Sequence, residues 1–187
     1  DEDYPWQDEV TLPKRAERIF PKGDYYLTDA EQAMLEQVCT AFDKVAVVLN
    51  VGCVTDVSWF YADDRIASVL LAYQGGMEGG VAVAELLTGE NTPCGKLPDT
   101  LARDLKDYPS TANFHASPDY VDYTEDIYMG YRYFEPLPGA AERVCYPFGF
   151  GLSYTSFALE TLEAKAADGT VSVAVRVTNT GTYAGKE

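Results

Sequence analysis

The sequence predicts an α/β fold: a layered α/β sandwich with a mainly parallel sheet, followed by the start of a β-sandwich. Two apolar runs, Val45 to Val51 and Ile66 to Ala72, read as strands buried on both faces, which suits the middle of a parallel sheet. A helical pattern precedes the first run and another follows the second, and such alternation belongs to layered α/β domains. From Phe157 the apolar period changes to two, the signature of strands with one buried face. The expected division places an α/β sandwich domain with long aromatic loops at residues 1–154 and a truncated β-sandwich segment at 155–187.

Each element has its own signal. Thr28-Asp29-Ala30-Glu31 is a capping box, in which the Thr28 hydroxyl takes one free amide and Glu31 reaches back to another. Ala30, Met34, Leu35, Val38 and Phe42 then mark the apolar face of a helix. After the second strand, Gln74-Gly75-Gly76-Met77-Glu78-Gly79-Gly80 opens a helix that runs to about Leu87, with Gly89 as its C-terminal cap. Residues 91–95 read as a turn, and Lys96 to Leu101 as a short edge strand carrying Pro98. Residues 104–154 are rich in Tyr, Pro, Asp and Gly without a sustained period, which predicts a long ordered loop region. Phe157 to Leu162 alternates, Asp168-Gly169 turns, and Val171, Val173, Val175 and Val177 alternate again, giving a hairpin. Two strands cannot stand alone, so the hairpin is the opening of a larger sandwich.

Composition removes whole classes of function. Thirty acidic against fourteen basic residues give a net charge of −16, so there is no basic stripe for nucleic acid or an anionic membrane surface. No apolar stretch approaches the roughly 20 residues of a membrane span. The four cysteines form no C-x-x-C pair, and Cys39 and Cys53 read as buried free thiols, which fits a reduced, cytoplasmic setting; two disulfides are the alternative. No signal peptide is visible, although the chain opens abruptly at Asp1-Glu2-Asp3-Tyr4. His115 is the only histidine, reads as a loop residue, and cannot by itself support a histidine-rich metal site. Carboxylates remain as the chemistry available to an enzyme, and carboxylate pairs are the tools of glycoside hydrolysis.

The glycine-rich turn is a poor phosphate site. A dinucleotide fingerprint needs a different glycine order, a P-loop needs Gly-Lys-Ser/Thr, and Glu78 would repel a phosphate at this helix N-terminus. Two readings stay open: tight strand-to-helix packing with Glu78 as a first-turn anion, or a rim where Glu78 meets a polar ligand or a neighbouring domain.

Four stretches, in this order and spacing, carry a resemblance: VAVVLNVGCVTDVSWF, LLAYQGGMEGGVAVAELLTGENTPCGKLPDT, YTEDIYMGYRYFE and YPFGFGLSYTSF. From Gly23 to Glu187 the chain resembles the second domain of glycoside hydrolase family 3, the β-glucosidase type. The resemblance implies a (β/α)8 barrel domain, not present in this chain, that carries the aspartate nucleophile. It implies an α/β sandwich packed on the barrel's mouth that supplies the acid/base glutamate, and a fibronectin-III-like domain behind it. No metal or organic cofactor is implied, and the substrate would be a β-linked oligosaccharide or glucoside.

Departures from that pattern matter for catalysis. Counting back from Gly23-Asp24-Tyr25-Tyr26 to the family's acid/base position lands on Lys14; the nearest carboxylate, and the catalytic candidate, is Glu17. Arg15 and Arg18 beside it favour its ionised form, a bias against a general acid. Tyr4 to Pro13 resembles a stretch the family places well upstream, so a strand and the acid/base loop are expected to be missing between about Arg15 and Phe20.

Glu78, Asp122, Tyr123 and Glu125 are the substrate-binding candidates, the last three in an acidic, aromatic loop suited to a sugar site's outer wall; plain loop packing is the competing account. Arg132 either stacks on its tyrosine neighbours or, as favoured here, forms a structural ion pair. The aromatics at 146, 148, 150 and 154 are expected to pack a domain junction. The leading reading is therefore part of a retaining β-glycosidase, inactive as this chain alone. The alternatives are a non-catalytic α/β sugar-binding or interaction module and, third, a flavodoxin-like nucleotide binder.

Overall fold

The computed structural model describes residues 22–113, 117 and 119–187. Glu17, its arginine neighbours and His115 lie outside the described residues. The chain divides into two compact units, one formed by residues up to Gln74 with Asp99–Pro147, the other by Gly75–Pro98 with Phe148–Glu187.

In the first unit, helix α1 (Asp29–Ala41) starts where the capping box places it: the Glu31 amide donates to the Thr28 hydroxyl (3.2 Å) and the Thr28 amide to the Glu31 carboxylate (2.8 Å). Its covered side is Leu35, Val38 and Cys39, whereas Met34 and Phe42, assigned to the apolar face, are exposed. Strands β1 (Val45–Leu49) and β2 (Ile66–Leu71) pair in parallel, with Val47 opposite Val69 and one irregularity after Val45. The sheet is parallel as expected, but burial on both faces is not observed. Val45, Val47 and Leu49 are covered while Ala46 and Val48 are exposed, because among the described residues nothing layers over that second face.

A short helix α2 (Ser58–Tyr61) joins these strands. It is followed by Arg65, whose guanidinium clamps Glu36 of α1 (2.8 and 3.0 Å) and Asp63 (2.7 to 3.2 Å). Hydrogen bonds from Arg65 hold the Asp63 carboxyl down from 3.8 to about 2, and Arg65 lowers Glu36 likewise. A carboxyl depressed in the folded state stabilises above its unfolded value and loses that contribution as pH falls through the folded one. Arg65→Met should therefore flatten the acid limb of stability. Urea midpoints at about pH 5 and about pH 2.5 should fall further apart in the wild type than in the variant, and equal separations would refute the clamp.

The remainder of this unit was expected to be loop, and is loop with short regular pieces. Strands β3 (Leu101–Ala102) and β4 (Val144–Tyr146) pair antiparallel, and helix α4 (Tyr131–Phe134) packs beside them. Phe134, Ala102 and Ala140 form its core, with Tyr108, Tyr133, Leu137 and Val144 against it. The edge strand expected over Lys96 to Leu101 is reduced to Leu101–Ala102. Cys39 and Cys145 are buried free thiols; Cys53, expected buried, is exposed in the turn after β1, and Cys94 is exposed too.

In the second unit, helix α3 (Gly79–Thr88) ends at Gly89 in the left-handed conformation (φ 80°), as the sequence indicates. Leu97 bonds the backbone of residues 149 and 150 on both its polar groups (2.8 Å each), and Gly151 lies so close to the Gly95 carbonyl that no side chain fits. Strands β5 (Phe157–Ala167) and β6 (Thr170–Asn179) form the hairpin, turning at Asp168 and Gly169 with φ of 50° and 73°. Positive φ at both central residues matches the strands' own twist. One face carries Leu159, Val171, Val173, Val175 and Val177; the other carries the ion pairs Arg176–Glu160 and Lys165–Glu163. The apolar face, expected to be buried, is open: Val171 is 70% exposed and Val175 48%.

Candidate functional site

In open α/β sheets, ligands gather at the carboxyl ends of the strands. Here the segments leaving β1 and β2 at that end lie side by side: a Cβ at Gly52 would stand 2.7 Å from the Gln74 side-chain amide, which would have to swing aside. Between these segments Tyr73 has φ of 53°, a strained conformation for an aromatic residue. Thr55 donates its hydroxyl (2.8 Å) and Asp56 its amide (2.9 Å) to the Tyr25 carbonyl, and the Trp59 indole donates to the Asp56 carbonyl (2.9 Å). Val57 beneath is 1% exposed. Cys53, Thr55, Val57, Tyr73, Asp99 and Leu101 help line a cavity of about 10 Å³, room for one water.

Tyrosines dominate this end of the unit. The Tyr108 hydroxyl accepts from the Ala102 amide (2.8 Å) and donates to the Thr100 carbonyl (3.1 Å), and burial pushes its pKa up. Burial likewise raises the Tyr25 hydroxyl, with Tyr108 and Asp56 adding to the effect. Both stay protonated at neutral pH; Tyr108 serves as a hydrogen-bonding bridge, whereas the buried Tyr25 hydroxyl has no hydrogen-bond partner among the described residues.

The acidic, aromatic loop forms a chain of tight turns. Amides of Thr124, Asp126 and Tyr128 donate to the carbonyls of Asp122 (3.0 Å), Tyr123 (3.2 Å) and Glu125 (2.8 Å). The Asn113 side chain donates to the Asp122 carbonyl (2.7 Å), and the Ser110 amide donates to the Glu125 carboxylate (3.1 Å). Glu125 is thus a half-buried strut, Asp122 is exposed, and Tyr123 is 83% exposed. These three candidates share one loop, whereas Glu78 belongs to the other unit. There Glu78 is the exposed N-cap of α3; its carbonyl accepts from the Ala82 amide (3.0 Å), but its side chain makes no capping bond. Gly75 packs on the Gly79 backbone, where a Cβ would stand 2.9 Å from the Gly79 Cα. Packing thus accounts for Gly75, whereas a Cβ at Gly76, Gly79 or Gly80 would meet nothing within 4 Å.

Other aromatics take separate places. The Arg132 guanidinium lies 5.8 Å from the Tyr131 ring centroid, so it stacks where an ion pair was favoured. Tyr146 stacks on Phe60 and meets Tyr61 edge-on inside the first unit, while the Tyr154 hydroxyl donates to the Leu86 carbonyl (2.6 Å) inside the second. Reasoning from sequence missed Tyr25, Tyr73 and Tyr108. Neither backbone strain at Tyr73 nor the bonds of Tyr108 has a local signal, although the count of fourteen tyrosines hinted at some structural use. Among the described residues no group of three or more His, Cys, Asp or Glu could hold a metal ion, and no helix is long and apolar enough to cross a membrane.

Residues 16–154 match the glycosyl hydrolase family 3 C-terminal domain. The chain is 52% identical to β-glucosidase A of Butyrivibrio fibrisolvens over 191 residues, covering 94% of this chain and 23% of that protein. It is 47% identical to a β-glucosidase of Ruminococcus albus over 165 residues, covering 88% of this chain and 17% of the relative. A solved β-glucosidase structure from Paenibacillus barengoltzii superposes with a TM-score of 0.78 at 50% identity, covering 85% of this chain and 18% of its own. The chain therefore spans about a fifth of the length of these relatives.

Proposed function

The chain belongs to glycosyl hydrolase family 3, and from that premise we propose that it is the non-barrel portion of a retaining β-glycosidase acting on terminal β-glucosides or related β-linked sugars. The observation that carries this reading is the family match over 16–154 joined to β-glucosidases at about half identity. The nucleophile lies outside this chain, on a (β/α)8 barrel. A glutamate acid/base faces it, the two carboxyls roughly 5–5.5 Å apart as retention requires; Glu17 is the candidate within this chain. Asp122 and Tyr123 line the substrate's outer wall with Glu125 as their support, and Glu78 stands at the rim of the neighbouring helix. The β5–β6 hairpin opens a fibronectin-III-like domain, whose further strands would cover its apolar face. No metal or organic cofactor takes part. Four free thiols support a cytoplasmic setting.

A non-catalytic sugar-binding or interaction module is the second reading, favoured by Arg15 and Arg18 on either side of Glu17. Intact mass and assay of the native protein separate the two. A mass several-fold above 20.6 kDa, with hydrolysis of an aryl β-glucoside to the β-anomer, supports the glycosidase. A mass of 20.6 kDa with glucoside binding and no hydrolysis sinks it in favour of the module.

A further inference from the structure

We propose that Asp168-Gly169, at the tip of the β5–β6 hairpin, is a site of spontaneous covalent modification at which the aspartate rearranges to isoaspartate. The inference is independent of the glycosidase reading. Asp168 is the only aspartate in the sequence followed by glycine, and no asparagine is followed by glycine. Attack by a backbone amide on the preceding side chain is hindered by the attacking residue's own Cβ, and glycine has none.

The turn leaves both reacting groups free. Ala167 and Thr170 are the last paired residues of the ladder, so the Gly169 amide lies in the two-residue loop beyond it. Among the described residues no backbone hydrogen bond occupies that amide, and the space beside Gly169 is open, since a Cβ there would meet nothing within 4 Å. The hairpin's two cations are already engaged, Lys165 by Glu163 and Arg176 by Glu160, and the Asp168 carboxyl forms no ion pair among the described residues. Residues 166–171 are all exposed.

The rearrangement needs no oxidant, reductant or cofactor. The Gly169 nitrogen attacks the carboxylic acid carbon of Asp168, a C–N bond forms, and the acid's hydroxyl leaves with the amide proton as water. The product is a five-membered succinimide. Water then cleaves the bond between the Gly169 nitrogen and the main-chain carbonyl carbon of residue 168, returning the proton to nitrogen and leaving a free α-carboxylate. One water is lost and one gained, so the mass is unchanged, but the backbone now runs through the side-chain carbon. A two-residue turn with positive φ at both positions (50° and 73°) matches the twist of its strands, and the lengthened turn does not. Hairpin register is set by the turn, so pairing loosens first at Ala167 and Thr170.

Ageing the native protein for several weeks at neutral pH and physiological temperature tests this, with a fresh sample as the baseline. Trypsin releases residues 166–176 as one peptide, because Lys165 and Arg176 bound it. The aged peptide should contain a second form of identical mass that resists an aspartate-specific protease at Asp168. That form should also accept a methyl group from S-adenosylmethionine through an isoaspartyl methyltransferase. Its yield should exceed isoaspartate at every other aspartate at least about tenfold, since only Asp168 precedes a glycine. Asp168→Glu should abolish it, because closure would then need a six-membered ring. Equal isoaspartate at the other aspartates, or none at Asp168 after ageing, would overturn the proposal. A second form that persists in Asp168→Glu would place the modification elsewhere in the peptide and overturn it as well.

Discussion

Expressed by itself, the 187-residue chain should hydrolyse an aryl β-glucoside no faster than buffer does. Retaining hydrolysis needs two carboxyls flanking one glycosidic bond, one to attack the anomeric carbon and one to protonate the leaving oxygen. Of the candidates in the described loop, Glu125 is committed to the Ser110 amide at 3.1 Å, and Asp122 stands exposed to water. With the nucleophile outside the chain, as proposed, no glycosyl-enzyme can form, and the expected loss is of the whole enhancement, on the order of 10⁶-fold or more. Release of nitrophenol from a nitrophenyl β-glucoside, followed overnight at high protein concentration, is the check. Turnover by these residues alone would mean that both carboxyls lie within the chain.

Phe134→Ala carries the largest expected effect on stability. Phe134 is 4% exposed, meets Tyr108 edge-on at 5.8 Å and Tyr133 at 5.1 Å, and packs on Ala102 and Ala140. Removing the ring gives up its transfer free energy and leaves a cavity its neighbours fill only in part, at a cost of about 3–5 kcal/mol. Tyr108 would lose its support as well, and its hydroxyl ties the Ala102 amide to the Thr100 carbonyl. Domains are stable by only about 5–15 kcal/mol, so the variant should unfold at a much lower urea concentration or fail to accumulate. Phe134→Leu keeps most of the volume and should lose less than half as much. A Phe134→Ala midpoint within error of the wild type would show that this cluster is not a core.

The boundary between what was legible and what was not follows the range of the interactions. The α1 capping box, the Gly89 cap and the Asp168-Gly169 turn involve residues only a few positions apart, and the sequence names all of them. Parallel pairing of β1 with β2 was legible too, because two apolar runs joined by a crossover have few other arrangements. Errors fell where burial depends on what lies opposite. Val48, Met34, Phe42 and the β6 valines are apolar and exposed, since apolar character marks a face to be covered without saying which segment covers it. Cys53 went wrong for a related reason: it follows a buried strand, but the chain turns outward there.

The site divides in the same way. An acidic, aromatic loop was visible at Asp122, Tyr123 and Glu125. That Glu125 is a strut could not be read, because its partner Ser110 lies fifteen residues away. Tyr73 at positive φ and Arg65 bridging to Glu36 across twenty-nine residues are of the same kind. By itself the sequence determined the local turns and caps, the strand pairing and, through four ordered motifs, the family. Only the tertiary structure decided which carboxylates are spent on the fold, which tyrosines are buried and which apolar faces stand open. Those outcomes depend on distances between residues far apart in the chain, and no local pattern encodes them.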